Sequence, residues 1–224
     1  AMDPQQRVAL QEAYHALEHA GYGGASPSRE SYGIYVGVMT SGEYFAQFDP
    51  AGKAQAMISN ANSILAGRIA YFLDMQGPTM VIDTACSSSL VAVDLACRAI
   101  RDQQASIMLA GGVTLYLTEQ PYIGMSMASM LSHIGLCKAF DNNADGIVPG
   151  EGVGFVVLKG LAKAIEDNDT IYGVIKGSGI NHDGKTVGLT TPNIKSQRNL
   201  QLSIYEEFSI EPRRITYVEA HGTG

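Results

Sequence analysis

Asp83-Thr84-Ala85-Cys86-Ser87-Ser88-Ser89 lies between an apolar run, Met80-Val81-Ile82, and an amphipathic one over residues 90–100. That order reads as strand, tight turn, helix, with a cysteine in the first turn of the helix. A thiol there meets backbone N–H groups that lack intrahelical partners, at the positive end of the helix dipole. Both effects favour thiolate, the nucleophilic form of cysteine. The layout is the cysteine counterpart of the strained turn that exposes a serine in α/β hydrolases. The competing reading is a buried structural thiol, the usual fate of a free cysteine. The turn context and the three following serines weigh against it. Cys97 lies on the same predicted helix about 16 Å further on, so it cannot share a site with Cys86 and is expected to pack in the core. Cys137 falls in a predicted loop and receives no role.

Outward from this turn the chain alternates. Asp3-Pro4 suits a helix start, and residues 8–20 carry apolar positions at helical spacing up to Gly21. Strands are predicted over residues 32–38, 80–82, 106–115, 154–158, 171–180 and 215–220. Helices are predicted over 54–73, 90–100, 195–208 and from the end of the fourth strand to Ile165. Gly111-Gly112 signals close backbone approach within its strand. The alternation argues for an α/β layered fold with a substantially parallel sheet, its strands buried on both faces.

The 224 residues, 46% hydrophobic, suffice for one large or two small domains. A net charge of −7 leaves no basic surface for nucleic acid. No apolar run reaches the length of a membrane span. Three irregularly spaced cysteines make no disulfide framework, which fits a reducing, cytoplasmic setting. The chain opens at a helix start and stops on a glycine-rich turn, which reads as a piece of something longer.

His221 ends an apolar run and opens Gly222-Thr223-Gly224. Strand ends in α/β proteins collect ligand sites. Together with Cys86, His221 suggests a thiol and an imidazole serving acyl chemistry. Two metal motifs compete. His15-Ala16-Leu17-Glu18-His19 fits the inverted zinc-peptidase pattern, but no third ligand follows. Asp141-Asn142-Asn143-Ala144-Asp145-Gly146 resembles the start of a calcium loop. Its twelfth position is Gly152 where the loop needs glutamate, so it reads as a structural turn. Gly150-Glu151-Gly152-Val153-Gly154 has the wrong spacing for a dinucleotide loop.

Six blocks carry a resemblance. They are Asp3-Pro4-Gln5-Gln6-Arg7, the Asp83–Ser89 turn, Cys137-Lys138-Ala139-Phe140-Asp141, Gly150-Glu151-Gly152-Val153-Gly154, Asn181-His182-Asp183-Gly184 and Glu219-Ala220-His221-Gly222-Thr223-Gly224. In this order, spanning the whole chain, they resemble the β-ketoacyl synthase (ketosynthase) domain of a modular type I polyketide synthase. The triple serine is more similar to the polyketide type than to the bacterial fatty-acid type. Pro149, residues 171–176 and Gly184-Lys185-Thr186 resemble synthases whose acyltransferase is a separate protein.

The resemblance implies a thiolase-like α-β-α-β-α sandwich, here incomplete. Residues 1–168 would form the N-terminal half without its first strand, and residues 169–224 the beginning of the C-terminal half. It implies Cys86 as the acyl-accepting nucleophile, with its own N–H in the oxyanion hole. His221 would be the first of two histidines that stabilise an enolate, and Thr223 a pantetheine-binding residue. No metal and no bound cofactor are implied. Substrates would arrive on the phosphopantetheine of an acyl carrier protein, and other synthase domains and a homodimer partner are expected. The second histidine of the family lies beyond Gly224, so the chain alone is expected to be inactive in condensation. His182 stands where many relatives have glutamine and reads as non-catalytic. A non-elongating, carrier-binding ketosynthase and a zinc hydrolase built on His15 and His19 are the alternatives.

Overall fold

The computed structural model describes residues 2–24, 31–39, 44 and 58–224. Two compact units emerge. The first holds Ala1–Asp169 together with His221–Gly224, and the second holds Thr170–Ala220.

The first unit is built on a four-stranded sheet of β1 (Tyr32–Val38), β2 (Thr79–Ile82), β3 (Ile107–Thr114) and β4 (Gly152–Lys159) in the order β2-β1-β3-β4. The first three strands are parallel, whereas β4 runs antiparallel to β3. Helices α1 (Pro4–His19) and α2 (Asn62–Phe72) cover one face, and α3 (Ser88–Arg101) covers the other. Alternate residues of β1 and β3 serve the two faces, as the pleat requires. Ile34, Val36, Val38, Ile107, Leu109 and Val113 join Ala9, Ala13, Leu17, Leu65 and Ile69 on the first face. On the second, Tyr35, Met108 and Ala110 meet Ala92, Ala96 and Ala99 of α3. That double coverage explains the near-continuous apolar sequence of β1, every residue of which is buried. The sheet and its helices thus supply three consecutive layers, α-β-α, of the expected sandwich.

Helix α1 begins as its sequence demands. The Asp3 carboxylate accepts the Gln5 N–H at 2.7 Å, and Pro4 occupies the first turn, where its missing N–H costs nothing. The next two side chains are buried and reach across the unit. Gln5 Oε1 accepts the Leu115 N–H at 3.1 Å, just past β3. Gln6 donates to Ala61 O at 3.2 Å and accepts from Arg68 Nε at 2.8 Å, before and on α2 respectively. Asp3-Pro4-Gln5-Gln6-Arg7 is therefore a helix cap fused to a docking device.

Several sequence expectations need correction. Strand β4 is not buried on both faces: Val153, Phe155 and Val157 pack on the core while Val156 is exposed. It runs antiparallel to β3 after a reversal through the preceding loop, in a sheet whose other three strands are parallel as expected. The helix expected over 54–73 is broken: residues 58–60 are helical, Ala61 is extended at φ −68°, ψ 130°, and α2 follows. Residues 54–57 lie outside the described set. A short helix, α4 (Gln120–Met127), went unpredicted because its apolar residues show no clear face. The expected strands over 171–180 and 215–220 form no ladder among the described residues. Apolar alternation supplies a face to bury, but a strand also needs a hydrogen-bonded neighbour.

The short α5 (Leu161–Glu166) is the last helix of the first unit, and the second centres on α6 (Ile194–Glu207). Asn193 caps α6 by accepting the Ser196 N–H at 3.2 Å. Gly177 and Gly179 allow the preceding segment to lie against Phe208, Ile204 and Leu200 of the same unit.

Candidate active site

Strand β2 delivers the chain to the cysteine turn, and α3 takes it away. Helix α3 starts at Ser88 with Ser87 as its N-cap, so Cys86 sits one residue before the cap rather than in the first helical turn. The residue before it, Ala85, is held at φ +55°, a left-handed conformation that costs a non-glycine residue energy. The strain is held by a dense local network. Ala85 N–H donates to Asp83 Oδ1 at 3.1 Å, and Thr84 N–H to Ser88 Oγ at 2.8 Å. The Ser88 hydroxyl donates to Ala85 O at 2.6 Å, and the Ser87 hydroxyl to Thr84 O at 2.9 Å. Ser88 is buried while Cys86 is exposed. The serines that follow the cysteine therefore lock the turn and leave the thiol facing outward.

The sheet contributes glycines. Gly37 and Gly112 face each other across β1 and β3. A Cβ on Gly37 would lie 2.6 Å from Ser89 N and 2.7 Å from Ser88 C. One on Gly112 would lie 3.1 Å from Ser89 Cβ. Hydrogen at Gly37 lets the start of α3 rest directly on β1, and the tight fit at Gly112 adds to it. A Cβ on Gly111 would come 2.1 Å from Gly154 O, so the close approach expected at Gly111-Gly112 is met at both glycines.

His221 and Thr223 belong to the same unit as Cys86. They sit in a turn with Gly222 at φ +50° and Gly224 at φ +102°. Cys137 contacts this turn, its Sγ lying 3.8 Å from Gly222 O. No hydrogen bond or ion pair joins Cys86 to His221 or Thr223 among the described residues.

The remaining candidates have structural employment. Cys97 is half-buried on α3. His15 on α1 pairs with Glu12 at 3.1 Å, and no group of three potential metal ligands occurs among the described residues. Asp141 closes a turn by accepting the Asn143 N–H at 2.7 Å, and Asp145 accepts from Ser132 and Lys138. Glu151 accepts the Tyr116 N–H at 2.6 Å, and β4 follows it. His182 Nδ1 accepts the Gly184 N–H at 2.9 Å, a turn contact.

One cluster escaped the sequence reading. The ammonium of Lys159, at the end of β4, lies 2.5 Å from Asp167 Oδ2, 2.6 Å from Asp169 Oδ2 and 2.6 Å from Tyr22 Oη. Tyr22 donates in turn to Asp169 Oδ1 at 2.6 Å. Burial works against the charge on Lys159, yet hydrogen bonds to two carboxylates and a phenol more than offset it and raise its pKa. Hydrogen bonds from Lys159 and Lys163 lower the pKa of Asp167; despite its desolvation, those from Lys159 and Tyr22 lower that of Asp169. The cluster ties the loop after α1 to the segment that follows α5. Tyr22 stands 137 positions from Lys159, and the two carboxylates are separated from that lysine by α5, so no local pattern pairs them.

Comparison with known proteins gives this geometry its context. Residues 1–164 match the family described as beta-ketoacyl synthase, N-terminal domain, and residues 172–224 match beta-ketoacyl synthase, C-terminal domain. The whole chain is 52% identical over 223 residues to polyketide synthase PksL of Bacillus subtilis, but spans only 5% of that protein. It is 44% identical over 223 residues to polyketide synthase ThaG of Burkholderia thailandensis, spanning 4% of it. Among solved structures, the ketosynthase from module 6 of the bacillaene synthase of Bacillus subtilis 168 superposes with a TM-score of 0.91 at 50% identity. That match covers 99% of this chain and 38% of the other. The oxazolomycin ketosynthase domain OzmH KS7 of Streptomyces albus JA3453 gives 0.89 at 37% identity, covering all of this chain and 39% of that domain. The chain is thus similar to ketosynthases of polyketide synthases, the strand-turn-helix around Cys86 sits in a thiolase-like fold, and the chain belongs to the β-ketoacyl synthase family.

Proposed function

We propose that this chain carries the acyl-accepting centre of a ketosynthase that extends a polyketide by decarboxylative Claisen condensation. The observation that carries the reading is the exposed Cys86 thiol on a strained, serine-locked turn between β2 and α3. The Cys86 thiolate attacks the thioester of an acyl chain carried on phosphopantetheine, and the carrier's thiol leaves with a proton. A malonyl-type extender on a carrier then loses carbon dioxide. Its electron pair becomes an enolate, whose carbon attacks the Cys86 thioester. The new carbon–carbon bond forms as the thiolate departs. His221 would donate a hydrogen bond to the enolate oxygen, where negative charge develops. Thr223 would hold the pantetheine arm. An acyl carrier protein, neighbouring synthase domains and a second copy of the ketosynthase are the proposed partners. No cofactor is required beyond the carrier-bound substrates. Its three free cysteines fit a reducing, cytoplasmic setting. No helix among the described residues is long and apolar enough to cross a membrane.

Intact-protein mass spectrometry of a complete ketosynthase carrying this sequence tests the reading. Incubation with an acyl thioester should add one acyl mass, and Cys86→Ala should abolish it. Labelling that survives in the alanine variant refutes the assignment of Cys86.

A further inference from the structure

Residues 130–147 fold into a frame against which the His221 turn rests. Ile147 N–H donates to Met130 O at 2.8 Å, and Ser132 N–H donates to Ile147 O at 2.9 Å, closing the ends together. Inside the frame Asp145 accepts from Ser132 Oγ at 2.9 Å and pairs with the Lys138 ammonium at 3.0 Å. Lys138 also donates to Asn143 O at 2.9 Å. The hydrogen bonds from Lys138 and Ser132 hold the Asp145 carboxyl below its usual range. Gly146 stands at φ +145°, where a Cβ would fall 2.5 Å from the Leu131 carbonyl carbon and from Ser132 N. The frame is therefore cross-braced.

Two of its members touch the turn. Cys137 Sγ reaches Gly222 O at 3.8 Å, immediately after His221. Gly146 O lies 2.7 Å from where a Cβ on Gly224 would be, and Cys137 Sγ 3.3 Å from the same point. The turn itself contains two glycines with positive φ, so its own backbone does little to fix its shape. An imidazole that must aim an N–H at a developing charge needs that shape fixed from outside.

We infer that Cys137 is a positioning residue for His221: its thiol, held by the 130–147 frame, donates to the Gly222 carbonyl and orients the histidine for the enolate step. The inference rests on the proposed condensation. Cys137 is exposed and forms no disulfide. The test uses a complete ketosynthase carrying this sequence and follows two steps separately: acyl loading of Cys86, and decarboxylation with condensation of a malonyl carrier. Cys137→Ala should load at the wild-type rate, while the kcat of condensation falls about tenfold at unchanged KM for the carrier. Cys137→Ser, which keeps a donor, should recover to within about twofold of wild type. Equal condensation in wild type and Cys137→Ala overturns the inference. Equal loss in the alanine and serine variants, or parallel loss of loading, also overturns it by marking a merely structural role. A wild-type protein that loads Cys86 yet never condenses refutes instead the reading on which the inference stands.

Discussion

Gly37→Ala puts the geometry of the Cys86 turn under direct stress. The new methyl would stand 2.6 Å from Ser89 N and 2.7 Å from Ser88 C. Both are backbone atoms at the start of α3, so no flexible side chain can swing aside. Restoring an ordinary contact of about 3.4 Å requires β1 and α3 to part by about 0.8 Å. The sheet is clamped from behind by α1 and α2, so the displacement falls on the helix start and on the turn it anchors. Overpacking of this kind costs about 1–3 kcal/mol of stability. The larger effect is on rate, since a shift near 1 Å in a reacting group can cost about 100-fold. Single-turnover acylation of Cys86, read by intact-protein mass spectrometry, should slow by about 10- to 100-fold in a protein that still folds. Gly67→Ala is the control. Gly67 lies within α2 with open space where a Cβ would go, so the change should leave acylation untouched and stabilise by about 0.5–1 kcal/mol. A Gly37→Ala variant with wild-type loading and wild-type urea midpoint refutes the role of these glycines in seating the Cys86 turn.

Other consequences follow from the buried polar contacts. Gln6→Ala deletes two hydrogen bonds of a buried side chain and leaves Arg68 Nε without its Gln6 acceptor, so the urea midpoint should fall by an amount equal to about 1–3 kcal/mol. Lys159→Met should cost about 2 kcal/mol near pH 7, because it leaves Asp169 and the Tyr22 hydroxyl without their cation. The lowered pKa of Asp167 and Asp169 means their contribution is present above the ordinary carboxylate range and lost as pH falls through their folded values. The raised pKa of Lys159 gives a contribution fully present below about pH 10.4 and lost only above it. The stability gap between wild type and Lys159→Met should therefore hold between about pH 5 and 9 and close below about pH 4. A gap that stays constant through the acid range contradicts the pairing.

The strand-turn-helix around Cys86 was legible because every signal for it is local. An apolar run, a small-residue turn and an amphipathic run stand in order within about twenty residues. The capped start of α1 was legible for the same reason. The helix of residues 54–73 was misread at Ala61, since alanine favours the helix and nothing nearby announces the break. Its extended backbone serves Gln6, which borrows the Ala61 carbonyl from 55 positions away. Strand β4 was found, but its direction and half-open face were not, because alternation says nothing about the neighbour a strand will choose.

The sequence by itself determined the cysteine turn, the caps, the apolar periods of the layers and the six blocks that resemble the ketosynthase family. Each depends on residues a few positions apart, where backbone geometry alone brings side chains into relation. Only the tertiary structure decided what the glycines of β1 and β3 are for, that the serines lock the turn, and that Lys159 joins Tyr22 to Asp169. It alone set Cys137 beside the His221 turn. Most of those contacts join positions far apart in the chain. They exist because folding lays segments from distant parts of the chain side by side, a relation that no local spacing encodes.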